Sequence, residues 1–112
     1  MKLVVAVIKP HRLDAVKDAL RSKGVGGLTV TEARGFGRQA GHTEVYRGAE
    51  YAVAFVPKIK VEVLVDDSDA HGVAIAVMDA ARTDKIGDGK VWILPVEEVF
   101  RVRTGEAGTE AL

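Results

Sequence analysis

Gly35-Phe36-Gly37-Arg38-Gln39-Ala40-Gly41-His42-Thr43-Glu44-Val45-Tyr46-Arg47-Gly48-Ala49-Glu50-Tyr51 reads as neither helix, regular strand nor short turn. Four glycines among these seventeen residues spoil both regular structures, and no apolar periodicity asks for burial. Connections this long inside a small domain are uncommon and usually functional. A chain this short has kept a long arm.

Working outward, Leu28–Arg34 is a strand rich in Thr and Val that runs into the loop. Upstream, Leu13, Val16 and Leu20 recur at helical spacing between His11 and Lys23, with Ala19 beside them and Gly24 as the stop. Leu3–Ile8 is a continuous apolar run halted by Lys9-Pro10, which predicts a first strand buried on both faces. Downstream, Ile59, Val61, Val63 and Val65 alternate with Lys60, Glu62 and Leu64, the period of a strand. Asp66-Asp67-Ser68-Asp69 supplies N-cap chemistry for a helix from about 70 to 82. Val91–Val96 is a fourth strand and Val99–Arg103 a short fifth.

Strand, helix, strand, strand, helix, strand predicts an α+β fold, a ferredoxin-like plait (βαββαβ) with both helices on one face of an antiparallel sheet. The other face then lacks helices, although the first and fourth strands are apolar on both sides. Either a second copy of the chain or the C-terminal segment covers it, and a homo-oligomer is the economical answer.

At 112 residues the chain has the size of one domain able to bury roughly two thirds of its unfolded surface. Sixteen basic and sixteen acidic side chains cancel, so the electrostatic footprint of a nucleic-acid binder is missing. The absence of cysteine removes disulfides, thiolate metal sites and thiol nucleophiles, and fits a reducing cytoplasm. Met1–Pro10 has one Lys before an apolar run, but the run is too short for a signal peptide and a charged helix follows directly.

Thr83-Asp84-Lys85-Ile86-Gly87-Asp88-Gly89-Lys90 offers backbone N–H groups as an anion nest with Lys90 as a full charge, or is simply a tight helix-to-strand turn. Its glycine spacing is wrong for a Walker loop. Arg101 and Arg103, on one side of an extended segment, could grip a phosphate or be a solvated edge. Arg38 is a third contributor, with Gly35 and Gly37 allowing close backbone approach. His11, His42 and His71 have no partners at metal-ligand spacing, and Ser22 and Ser68 sit at helix ends without a base, which disfavours an enzyme. Tyr46 and Tyr51 lie in the polar loop as binding anchors or modification sites.

Taken together, Tyr46–Tyr51, Thr83–Val96, Gly35–Gln39, Phe55–Lys58 and Arg101–Glu106 closely resemble the motifs of the PII nitrogen-regulatory signal-transduction proteins, over the whole of residues 1–112. The resemblance implies one regulatory domain, 1–112, with a partner-binding loop at about 37–55, assembled as a cytoplasmic homotrimer with nucleotide sites between neighbours. ATP and ADP would compete there, with Gly35, Gly37, Arg38, Gly87, Asp88, Gly89, Lys90, Arg101 and Arg103 around the phosphates and Thr29, Glu62 and Leu64 near the adenosine. It further implies 2-oxoglutarate beside Mg-ATP, bound by Gln39, Ala40, Gly41 and Lys58. Gln39 would help hold the Mg2+, Ala40 would act through its backbone, and Lys58 would pair with the distal carboxylate.

Arg47 and Tyr46 would meet partners, Arg47 as a plug in an ammonium channel that recruits the protein to the membrane. Other partners would be enzymes and regulators of nitrogen metabolism. Tyr51 would receive a nucleotidyl group from a nucleotidylyltransferase. Ala40, Ala54 and Ala107 depart from the common pattern, Ala107 beside the phosphate site. RNA binding, which other plaits perform, is disfavoured because the strands offer Val, Ile and Leu in place of stacking aromatics.

Overall fold

In a computed structural model of the chain, residues 1–37, 45–46, 49–50 and 54–112 are described, those of 45–46 and 49–50 by backbone alone. The elements are β1 (Lys2–Ile8), a 3₁₀ turn (Pro10–Arg12), α1 (Leu13–Ser22), β2 (Thr29–Gly35), β3 (Val45–Tyr46), β4 (Ala49–Glu50), β5 (Val56–Val65), α2 (Asp67–Ala81), β6 (Lys90–Pro95) and a 3₁₀ turn (Gly108–Ala111). β1 pairs antiparallel with β5 and β6, and β5 antiparallel with β2, in the order β2-β5-β1-β6. This is the ferredoxin-like βαββαβ plait that the order of elements predicts.

The period of two decides which strand residues meet the helices. Val4, Ala6 and Ile8 of β1 and Val61, Val63 and Val65 of β5 point to one side. They pack there with Val16 and Leu20 of α1 and with Ala70, Val73, Val77 and Ala81 of α2, whose spacings of three and four draw one helical stripe. Each large aliphatic side chain so buried contributes about 1.5–3 kcal/mol. Arg12 donates to the Ala80 carbonyl through Nε (3.0 Å) and Nη2 (2.6 Å), placing a cation at the C-terminal end of α2.

Four expectations change. α2 starts at Asp67, not near 70, because the Asp66 carboxylate accepts the Asp67 N–H at 2.9 Å and so caps one turn earlier. β5 starts at Val56 and includes Pro57, which is tolerated because β1 joins β5 only from Ile59 onward, leaving Pro57 paired on the β2 side alone. The fifth strand does not form. Phe100 makes one bridge to Ala107, and the chain turns back between them with Gly105 at φ +74° and Arg101 N–H donating to the Glu106 carbonyl (2.8 Å). The long loop, read as lacking any strand, carries the two-residue hairpin β3–β4.

The sheet face away from the helices carries Leu3, Val5 and Val7 of β1 between Lys60, Glu62 and Leu64 of β5 and Lys90, Trp92 and Leu94 of β6. Val5 in the middle is 2% exposed, whereas Leu64, Trp92 and Leu94 are each 40% or more exposed. The C-terminal residues Ala111 and Leu112 reach a groove beside Leu3 and Leu64 but leave Trp92 and Leu94 in solvent. The C-terminal segment is therefore not the cover for this face.

Candidate functional site

The loop from Thr83 to Lys90 is shaped by its own aspartate. The Asp88 carboxylate accepts the N–H groups of Thr83 (2.7 Å) and Asp84 (2.9 Å), and the Thr83 hydroxyl donates to it as well. Lys9, the residue after β1, adds its ammonium, 3.2 Å from Asp88 Oδ1 and 3.0 Å from Thr83 Oγ1. These donors hold the Asp88 carboxyl well below the usual carboxylate range, the Thr83 hydroxyl and N–H contributing most. The Asp88 carboxylate is thus turned into its own loop.

Both flanking glycines are in the left-handed region, Gly87 at φ +98° and Gly89 at φ +97°, and Asp84 joins them at φ +62°. A Cβ on Gly89 would sit 1.7 Å from the Val7 carbonyl oxygen, so the loop backbone lies directly on the end of β1. Lys58, only 7% exposed, donates from Nζ to the Gly87 carbonyl at 2.6 Å. Burial, and then the nearby Lys9, push the Lys58 ammonium below the ordinary lysine range, with Asp88 partly opposing them. Lys9 pairs with the Asp88 carboxylate while Lys58 only feels its field, so two ammoniums stand near one carboxylate and leave a surplus positive charge suited to an anion. Gly35, at the end of β2, lies beside the Lys58 stem: a Cβ there would meet Lys58 Cγ at 3.7 Å.

A second cluster lies toward the other end of the strands. A groove of about 1130 Å³ is lined in part by Gly27, Leu28, Thr29, Glu62, Leu64 and Arg101. Thr29 and Glu62 are direct cross-strand partners, which explains why residues 33 positions apart face one space. Arg101 is held at the rim by its own C-terminal segment: Nη1 is 2.8 Å from Glu106 Oε1 and Nη2 donates to the Glu110 carbonyl at 3.0 Å. Arg103 is exposed in the same turn.

The structure thus brings Gly35, Lys58, Gly87, Asp88, Gly89 and Lys90 to one end of the sheet and Thr29, Glu62, Leu64 and Arg101 to a groove toward the other. Lys90 pairs with Val7 of β1, whereas the groove reaches Leu3, four residues away and about 13 Å along a strand. Lys90 is not among the residues that line the groove holding Arg101. Gly37 is exposed at the start of the long loop. Arg38, Gln39, Ala40, Gly41, Arg47 and Tyr51 lie outside the described residues, and Tyr46 is described by its backbone only.

Two residues of these clusters escaped sequence reasoning. Lys9 looked like a strand stop, although a lysine so close to an apolar run is a signal of a cation carried to the sheet's end. Glu106, five residues after Arg101, pairs with it only because Gly105 turns the chain. His11 and His71 are exposed, and among the described residues no group of three or more His, Cys, Asp or Glu is placed to hold a metal ion.

A family model described as "Nitrogen regulatory protein P-II" matches residues 1–106. The chain is 58% identical to the nitrogen regulatory protein P-II of Rhizobium meliloti (strain 1021) and 57% identical to that of Azospirillum brasilense, in both cases over 112 residues covering the whole of each chain. A crystal structure of Arabidopsis thaliana PII bound to citrate superposes with a TM-score of 0.82 at 38% identity, over 99% of this chain and 91% of that one. The same plait and full-length identity above one half lead to one conclusion: this chain belongs to the nitrogen regulatory protein P-II family.

Proposed function

We propose that this regulatory protein senses nitrogen, carbon and energy status by binding ATP or ADP and, with Mg-ATP, 2-oxoglutarate, in sites completed between the subunits of a homotrimer. The observation that carries this reading is the division of the anion-binding and groove residues. Lys90 and the glycines stand on the loop at one end of the sheet, and Thr29, Glu62, Leu64 and Arg101 in the groove toward the other. A second copy of the chain could bring one cluster against the other, and the exposed Leu64, Trp92 and Leu94 supply an apolar face for that contact.

Lys58 favours a dicarboxylate. A buried ammonium already fixed by the Gly87 carbonyl, with a second ammonium nearby, is stabilised by an incoming carboxylate and loses little freedom on binding it. Mg2+ suits a position where most oxygens come from phosphates and the oxoacid, with Gln39 as a protein ligand. Nucleotide and oxoacid then bias the base of the 37–55 loop, and partners such as an ammonium channel or a nitrogen-metabolism enzyme read its shape through Arg47 and Tyr46. Tyr51 is the residue for a nucleotidylyltransferase, and the working compartment is the cytoplasm.

Calorimetric titration of 2-oxoglutarate into the protein tests the core of this reading, once with Mg-ATP and once with Mg-ADP. Binding with Mg-ATP alone is expected. Equal binding in both, or in neither while ATP also fails to bind, would overturn it.

A further inference from the structure

We infer that Lys9 is a positioning residue of the anion loop: clasped by the Thr83 hydroxyl and the Asp88 carboxylate, its ammonium holds the loop on the end of β1 and so sets the direction of the Gly87–Lys90 backbone N–H groups. The inference rests on the nucleotide reading given above for what the loop binds, but the clasp itself is a matter of geometry. Lys9 lies 74 residues from Thr83 in the sequence, and its Nζ is 3.0 Å from the hydroxyl and 3.2 Å from Asp88 Oδ1. Lys9 and Asp88 side chains are both mostly shielded, at 20% and 23% exposure, so this is not a solvated surface pair.

Asp88 stands between the two left-handed glycines, and its oxygens are occupied by the N–H groups of Thr83 and Asp84, the Thr83 hydroxyl and Lys9. Whatever fixes that carboxylate fixes the loop. Two further contacts pin the same loop, Gly89 on the Val7 carbonyl and Lys58 on the Gly87 carbonyl. Val7 and Lys9 are two residues apart in β1 and its extension, so the strand's end acts as a rigid support for the loop. Without Lys9, Asp88 keeps Lys58 as the remaining nearby ammonium. A carboxylate drawn toward Lys58 would leave the Thr83 and Asp84 amides and weaken the Lys58 hold on Gly87.

The test compares wild type, Lys9→Met, Lys9→Arg, Thr83→Val and the double variant Lys9→Met/Asp88→Asn, with two readouts. ADP affinity is measured without Mg2+ or oxoacid, and amide hydrogen exchange is followed at Thr83 and Asp84 in the ligand-free protein. Lys9→Met is expected to weaken ADP about tenfold, the scale of one lost charge-assisted hydrogen bond, and to speed exchange at both amides. Lys9→Arg restores most of each, and Thr83→Val moves both readouts the same way. With Asp88→Asn measured alone as well, the double variant binds ADP no more weakly than the worse of Lys9→Met and Asp88→Asn, because both changes break the same clasp.

Unchanged exchange and unchanged ADP affinity in Lys9→Met would overturn the inference. A wild-type protein that takes no ADP would instead overturn the nucleotide reading, while the exchange rates still decide whether Lys9 holds the loop.

Discussion

At the scale of single residues, the anion loop owes its path to groups that tolerate little change. Gly89→Ala sets a Cβ against backbone that cannot swing aside, the Val7 carbonyl, and adds the strain of φ +97°. The expected cost exceeds about 3 kcal/mol. Gly24→Ala is the matched comparison: φ is +83° but nothing lies within 4 Å, so only the left-handed strain of about 1–2 kcal/mol applies. Urea unfolding of the two variants measures the difference. Asp88 gives a pH dependence with a definite sign. Its carboxyl is depressed in the folded protein, so its stabilisation is complete above the ordinary aspartate value of about 3.9 and is lost as pH falls from there toward the depressed value. The stability gap between wild type and Asp88→Asn should therefore be constant from neutral pH down to about 4 and close progressively below it, as read by unfolding curves across that range.

At the scale of elements, caps and neighbours moved boundaries that periodicity alone left loose. Asp66→Ala removes the acceptor for the Asp67 N–H and should cost about 1 kcal/mol, lowering the melting temperature by about 4 °C in a calorimetric scan. Much here was legible. The apolar run of β1, the alternation of β5, the stripes of α1 and α2 and the Asp-rich cap all report local chemistry, and the structure has each of them. The supposed fifth strand was not legible, because Val99–Arg103 has strand-like residues but its partner is the chain after Gly105, whose positive φ turns the segment back on itself. The alternation likewise showed β5 only from Ile59, whereas the strand reaches back through Pro57. Pro57 is admitted because β1 happens to begin pairing two residues later.

At the scale of the whole molecule, the sheet's open face is where the proposed assembly is tested. Leu94→Glu places a charge among Leu3, Leu64 and Trp92, where a partner subunit would bury it. Sedimentation is expected to show smaller species for this variant than for wild type, with the circular dichroism of the fold retained; an unchanged size would argue against this face as the contact. From the sequence alone came the order of elements, both helical stripes, the plait, the apolar excess of the first and fourth strands and the residue types suited to an anion, since each depends on periodicity and on chemistry within a few positions. Tertiary structure alone decided that Lys9 and Lys58 meet the 83–90 loop, that Asp88 faces inward, and that Arg101 lines a groove that Lys90 does not. Those relations follow from strand register and from which strand end a loop crosses. They join residues up to 74 positions apart and leave no periodic trace in the sequence.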